Sequence, residues 1–315
     1  MKNKVIILTG PTGVGKTETS ISIAKALNTE IISCDSMQIY KGMDIGTAKI
    51  TKKESDGIVH HNIDIIDPND DFTVSDYQSL TMPLVEKLNK EGKIPLIVGG
   101  TGFFIDSIIY DLDFTKSEPD YEYRDSLEKI AKESGLDALY DMLLEIDPAQ
   151  NELIDKNNKQ RVIRALEIYN STGIKPSEQR DNLRKYNDNV DFLYIVLNRD
   201  RPNLYDRINK RVEVMVNDGL INEVESLIAN GANPNSTAFK AIGYKEVIEY
   251  LNEVIDKDNM INQIQQNSRR YAKRQLTWFR REKSSIWFNL DEYSSYDDLF
   301  KEIMDIINKF RGEEK

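Results

Sequence analysis

The chain has 315 residues, 39% hydrophobic and 30% charged, and its 42 Lys and Arg against 53 Asp and Glu leave a net charge of −11. That length suits about two domains, or one α/β core with a sizeable insertion, and no apolar run approaches the roughly 20 residues that cross a bilayer. One cysteine, Cys34, and two histidines, His60 and His61, exclude an internal disulfide and a His/Cys zinc site, and the negative balance excludes nucleic-acid binding by bulk charge alone.

In chain order, MKNKVIILTG is basic and then apolar, but its apolar run is too short for a signal peptide and no small-residue cleavage site follows. It reads as the buried first strand of a cytoplasmic protein. TETSISIAKALN follows with helical spacing at Ile21, Ile23, Ala24 and Leu27. EIISCD and NIDIID read as a second and a third strand, Val74 to Lys90 as a helix, and IPLIVGG as a further strand. FLYIVLN (192–198) and SIWFN (285–289) complete the sheet late. Such continuous apolar runs suit parallel strands covered on both faces. The charged, helix-periodic stretch between them sets the expected organisation: a core of 1–115 and 186–315, and a mostly helical insertion domain at 116–185, in which Gly173 marks a helix stop. Helices continue through 201–219, 220–231 and 261–283.

Gly10-Pro11-Thr12-Gly13-Val14-Gly15-Lys16-Thr17 is a complete GxxxxGK[ST] between a predicted strand and a predicted helix. Glycines there let backbone N–H groups converge on one anion at a helix N-terminus; Lys16 neutralises an outer phosphate and Thr17 can ligate Mg²⁺. The expected fold is therefore α/β, a P-loop NTPase-like parallel sheet flanked by helices. The loop reads a di- or triphosphate and does not name the rest of the ligand.

Asp35 stands just past the second strand, on the sheet edge that carries the phosphate loop. Asp35-Ser36-Met37-Gln38 offers a carboxylate as general base and an amide able to bond a nucleobase edge, although a helix N-cap or a water-mediated Mg²⁺ contact would also suit Asp35. Asp67 competes for the role, but DPND makes it a turn former. Gly99-Gly100-Thr101-Gly102 brings a second glycine turn to the same edge, with Phe103 and Phe104 expected in the core. Residues 261–283 hold Arg269, Arg270, Lys273, Arg274, Arg280, Arg281 and Lys283 against Glu282 alone, a local +6 that leaves −17 elsewhere. On a helix these cations form two rows beside an apolar stripe of Ile264, Tyr271 and Trp278, a face suited to phosphates. Arg161 and Arg164 make a smaller cationic pair.

Together these segments resemble the bacterial tRNA dimethylallyltransferases (tRNA isopentenyltransferases) over nearly the whole chain. The motifs are GPTGVGKT at 10–17, DSMQIY at 35–40, GTAK at 46–49, HH at 60–61, GGTG at 99–102, QRVIRALEIYNSTG at 160–173, LYDRINKRVE at 204–213, AIGYKE at 241–246 and RRYAKRQLTWFR at 269–280. The resemblance implies transfer of a dimethylallyl group from dimethylallyl diphosphate to N6 of the adenine 3′ of the anticodon, with residues 10–17 on the diphosphate, Mg²⁺ at Thr17, and Asp35 and Thr101 as catalytic residues. It implies tRNA contacts, to the anticodon stem-loop, at Asp35, Ser36, Met37, Gln38, Thr101, Arg124, Gln160, Arg161, Val162, Ile163, Arg164, Lys240, Tyr244, Lys245, Arg270, Lys273 and Arg274, in a cytoplasmic monomer with no membrane partner. GGTGFF departs from the Leu-Tyr type pair expected after the glycine, and no eukaryotic-type zinc finger can form without its Cys and His ligands. Two other readings are a small-molecule P-loop kinase, for which the basic helix has no use, and a nucleotide-dependent RNA-binding module without chemistry.

Overall fold

Val5, Ile6, Ile7 and Leu8 are all fully buried, which a strand achieves only with both faces covered, and they lie in β1 (Asn3–Thr9), inside the sheet. The computed structural model describes residues 2–112, 120–178 and 185–312. Among them β1, β2 (Ile31–Cys34), β3 (His60–His61), β4 (Leu96–Gly99), β5 (Val190–Asn198) and β6 (Ile286–Asn289) pair in parallel in the order β3-β2-β4-β1-β5-β6. Thr9 is in register with Gly99, and Gly99 with Cys34. Three strands thus end level, at the ~4.8 Å spacing of paired strands, and the loops after them open side by side.

Two compact units are present, Met1–Ile108 with Asp188–Lys315, and Ile109–Asn187. In the first, α1 (Lys16–Leu27), α2 (Val74–Lys90) and α3 (Gly102–Ile109) follow β1, β3 and β4. A reciprocal Thr73/Asp76 capping box starts α2 by satisfying donors that the helix leaves open. After β5 come α6 (Arg201–Asn217), α7 (Leu220–Ala229), α8 (Tyr244–Leu251) and α9 (Lys257–Phe279), and after β6 comes α10 (Tyr296–Arg311). β1, β5, α1 and α10 share one apolar core; Ile39, Tyr40 and Met43 form another with Val212, Val224, Tyr244, Met260 and Ile264 of α6 to α9. Among the described residues no helix is long and apolar enough to cross a membrane.

The second unit holds α4 (Tyr121–Ile146), interrupted at Gly135 where φ is 86°, and α5 (Lys159–Thr172), ended by left-handed Gly173 at φ 67°. Its core is Leu127, Leu139, Leu143, Val162, Ile163 and Leu166. Tyr110 bridges Tyr186 antiparallel within the unit; the expected boundary at 116 lies outside the described residues. The third strand lies just before the expected run: it is His60–His61, and none of NIDIID belongs to it. NIDIID alternates like a strand, but Asn62 and Asp64 adopt positive φ, 61° and 55°, as short polar side chains can. Pairing is confined to His60–His61, with one further bridge from Tyr40 to Ile66.

Candidate active site

The 10–17 loop joins β1 to α1, with left-handed φ at Gly10, Gly13 and Gly15. Its carbonyls are tied down by cations. Lys16 Nζ donates to the Gly10 and Pro11 carbonyls at 2.8 and 3.0 Å, Arg207 Nε of α6 to Gly13 at 2.9 Å, and Arg199 Nε, one residue past β5, to Val14 at 3.0 Å. Arg199 is itself held by Asp291 at 2.5 Å. The Thr12 and Val14 amides are engaged within the protein; with its carbonyls also tied down, the loop offers its remaining amides as outward chemistry, the arrangement that takes an anion at a helix N-terminus.

Burial, and then Arg211 of α6, lower the Lys16 pKa to about 8, while Asp35 opposes the shift. Burial likewise pulls the Arg211 guanidinium below its ordinary range, Asp35 opposing and Arg207 adding. Lys16 and Arg211 are thus desolvated cations with one nearby carboxylate, an imbalance that an incoming diphosphate would neutralise. Lys16, Thr17, Asp35, Gln38, His60 and Gly99 line one cavity of about 70 Å³, and Thr17 is exposed in the first turn of α1.

No helix begins at Asp35, so it is not an N-cap. Its Oδ1 accepts from the Met37 amide at 2.9 Å, an Asx turn that fixes the carboxylate beyond β2. Thr101 sits across from it. The Thr101 amide donates to the Cys34 carbonyl at 3.1 Å, and its Oγ1 accepts from the Ser36 amide at 3.0 Å and donates to Ser36 Oγ at 3.3 Å. Gln38 is not loose: Nε2 donates to the Thr47 and Ala48 carbonyls at 3.3 and 3.4 Å, and Oε1 accepts from Ser33 Oγ at 3.2 Å. The GTAK turn therefore sets the orientation of this amide. The turn is secured in its turn by Glu223 of α7, which accepts from the amides of Asp44, Ile45 and Gly46.

On α9 the cations and the packing face separate as the sequence spacing implies, but the packing face is more polar than expected. Arg270, Lys273 and Arg274 are exposed, whereas Met260, Ile264, Ala272, Gln275 and Phe279 are buried. Tyr271, Gln275 and Trp278, on one face at i, i+4 and i+7, meet the 99–102 turn. Burial and the charge of Asp35 push the Tyr271 phenol up, with a hydrogen bond to Thr101 acting the other way; Gln275 bonds to Gly100; a Cβ at Gly102 would lie 2.2 Å from the Trp278 ring. Arg269 bonds to Asn209, and Arg280 and Arg281 lie over Trp287 and Trp278.

Burial sorts the residues of the expected contacts. Tyr244 is fully buried in the α6 to α9 core, its hydroxyl donating to Glu223 at 2.5 Å, so its side chain does not face a ligand. Its neighbours Lys240, ending a short 3-10 turn, and Lys245 are exposed. In the second unit Val162 and Ile163 are core residues, whereas Gln160 and Arg161 are exposed and Arg164 is half-buried. Arg124 is bidentate to Glu167 at 2.6 and 2.9 Å, and Glu167 is only 2% exposed. Phe104 is core, stacked on Tyr77, but Phe103 is 45% exposed and meets Trp278 edge-on.

A family model described as IPP transferase matches residues 38–282. The chain belongs to the IPP transferase family. It is similar to the tRNA dimethylallyltransferases of Alkaliphilus oremlandii, 46% identical over 312 residues covering 99% of this chain and 98% of that one, and of Clostridioides difficile, 46% over 303 residues covering 96% and 97%. Among solved structures, the full-length tRNA isopentenylpyrophosphate transferase of Bacillus halodurans superposes with TM-score 0.74 at 43% identity, covering 99% of this chain and 98% of that one. A eukaryotic dimethylallyltransferase acting on tRNA superposes with TM-score 0.84 at 28% identity, covering 99% and 80%. The P-loop NTPase-like sheet with flanking helices is the fold of this family. Arg207, Arg211 and Gln275 meet the phosphate loop or its lysine although the sequence alone does not single them out. The signal was there: Arg207 and Arg211 are four apart on one predicted helix, the spacing that puts two cations on one face.

Proposed function

We propose that this enzyme transfers a dimethylallyl group from dimethylallyl diphosphate to N6 of the adenine 3′ of the anticodon in tRNA. The observation that carries the reading is the pairing of a desolvated cation cluster, Lys16 of the phosphate loop and Arg211 of α6, with a fixed carboxylate, Asp35, on the strand end two places along the sheet. The N6 lone pair forms a bond to the primary allylic carbon as the bond from that carbon to the diphosphate oxygen breaks. The loop amides, Lys16 and Arg211 take the charge that collects on the departing oxygen, and Asp35 accepts the N6 proton. Thr101 holds the Asp35–Ser36 backbone against the 99–102 turn.

Thr17, a hydroxyl at the helix N-terminus, and Asp35 lining the same cavity are hard oxygen donors that suit Mg²⁺ together with phosphate oxygens. Bound there, Mg²⁺ would add positive charge beside the leaving group. In the second unit Gln160, Arg161 and Arg164 are exposed or half-buried polar groups suited to an RNA backbone; in the first unit, Lys240, Lys245, Arg270, Lys273 and Arg274 are exposed cations suited to the same chemistry. Extruding the adenine costs a few kcal/mol, least in a single-stranded loop. A cytoplasmic location is the reading that goes with a tRNA substrate. The test is incubation with unmodified tRNA and Mg²⁺ in parallel with labelled dimethylallyl diphosphate or labelled ATP. Label enters RNA from the first alone; label transferred from ATP, or ATP consumed without RNA, overturns the reading.

A further inference from the structure

Gln275 is a polar side chain only 5% exposed, and both ends of its amide are engaged on opposite sides of the site. Oε1 accepts from the Thr12 amide at 2.9 Å, and Nε2 donates to the Gly100 carbonyl at 3.0 Å. A backbone N–H can only donate and a carbonyl only accept, so the two partners fix which way the amide faces. The approach is close, because a Cβ on residue 100 would lie 2.1 Å from Nε2. Thr12 belongs to the phosphate loop; Gly100 is bonded to Thr101, which grips the Cys34 carbonyl and the Ser36 amide on either side of Asp35. One line of hydrogen bonds therefore runs from the loop, through Gln275, to the backbone that carries the carboxylate. If packing alone were needed here, Leu or Met would fill the space without the cost of burying an amide.

We propose that Gln275 is a positioning residue that sets the distance between the leaving diphosphate and the acceptor amine, a role that rests on the reading of the loop and Asp35 given above. It touches neither reactant. A displacement between two bound partners is sensitive to their spacing, and a shift of about 1 Å can cost ~100-fold in rate.

The experiment uses the full chain with Gln275→Met, which removes both bonds, and Gln275→Glu. Single-turnover transfer to unmodified tRNA is measured beside the equilibrium dissociation constant of each substrate alone. Gln275→Met should lower the transfer rate ~10- to 100-fold while both dissociation constants stay within about twofold of the parent. Gln275→Glu carries a further readout. A carboxylic acid can accept from Thr12 and donate to Gly100 as the amide does, but a carboxylate cannot donate, and burial keeps the acid form to higher pH. Its rate relative to the parent should therefore rise as pH falls from about 9 to about 6. That ratio decides the matter alone if Gln275→Met does not fold. Transfer within about twofold of the parent in both variants at every pH, or a Gln275→Glu deficit that ignores pH and follows weakened donor binding, overturns the proposal. A parent enzyme that never labels tRNA would instead overturn the reading beneath it.

Discussion

Lys16→Met should alter how stability depends on pH, by an amount the site itself sets. In the unfolded chain this ammonium loses its proton near 10.5; in the folded protein burial and Arg211 bring that down to about 8. Below about pH 8 both states hold the proton and the group adds no slope. Between about 8 and 10.5 the unfolded chain binds a proton that the folded protein has released, so unfolding free energy rises by about 1.4 kcal/mol per pH unit, roughly 3 kcal/mol across the window. The penalty is therefore present at neutral pH and relieved in base, the reverse of a salt-bridged lysine. Denaturant unfolding of the parent and Lys16→Met at pH steps from about 7 to 10.5 isolates the effect, since every other group titrates in both. The parent should gain about 3 kcal/mol on the variant. With inorganic diphosphate in the loop the ammonium keeps its proton and the gain should shrink. A difference constant within about 0.5 kcal/mol over the window would refute a desolvated lysine at this site.

Asp35→Asn keeps the Asx turn but not the base; transfer should fall ~100- to 10,000-fold with tRNA affinity nearly unchanged in a filter-binding assay, and a collapse of affinity with normal turnover would contradict the base assignment. Arg124→Met leaves the buried Glu167 carboxylate, among the described residues, with the longer Arg164 contact in place of its bidentate partner, so thermal unfolding should report a loss of about 2 to 4 kcal/mol, discounted for the partial exposure of Arg124; an unchanged melting curve would show that the pair is not structural. Tyr244→Phe removes one donor from Glu223, which retains three amides, and should cost about 1 kcal/mol without changing tRNA KM. A raised KM with unaltered stability would return Tyr244 to the RNA-contacting surface.

The sheet was legible because its strands are continuous apolar runs of β-branched residues, and the phosphate loop because its glycine spacing admits few other uses. NIDIID misled for a physical reason: alternation is a two-residue signal, and it does not register that Asn62 and Asp64 accept left-handed backbone. Tyr244 and Val162 sat inside motifs whose neighbours are polar, and a motif does not say which of its side chains turn inward. Arg211 and Gln275 escaped because their significance is long-range. A guanidinium becomes unusual only when folding withdraws it from water beside Lys16, and a glutamine only when Thr12 and Gly100 arrive on either side of it.

The register that levels Thr9 with Gly99 and Cys34 has a cost during synthesis. β1 lies between β4 and β5, and residues 190–198 leave the ribosome only after the whole of 109–187 has been made. At roughly 5–20 residues per second, one flank of this buried strand waits several seconds for its partner. Such an unpaired edge is a template for association with other chains until the later strand arrives to cover it.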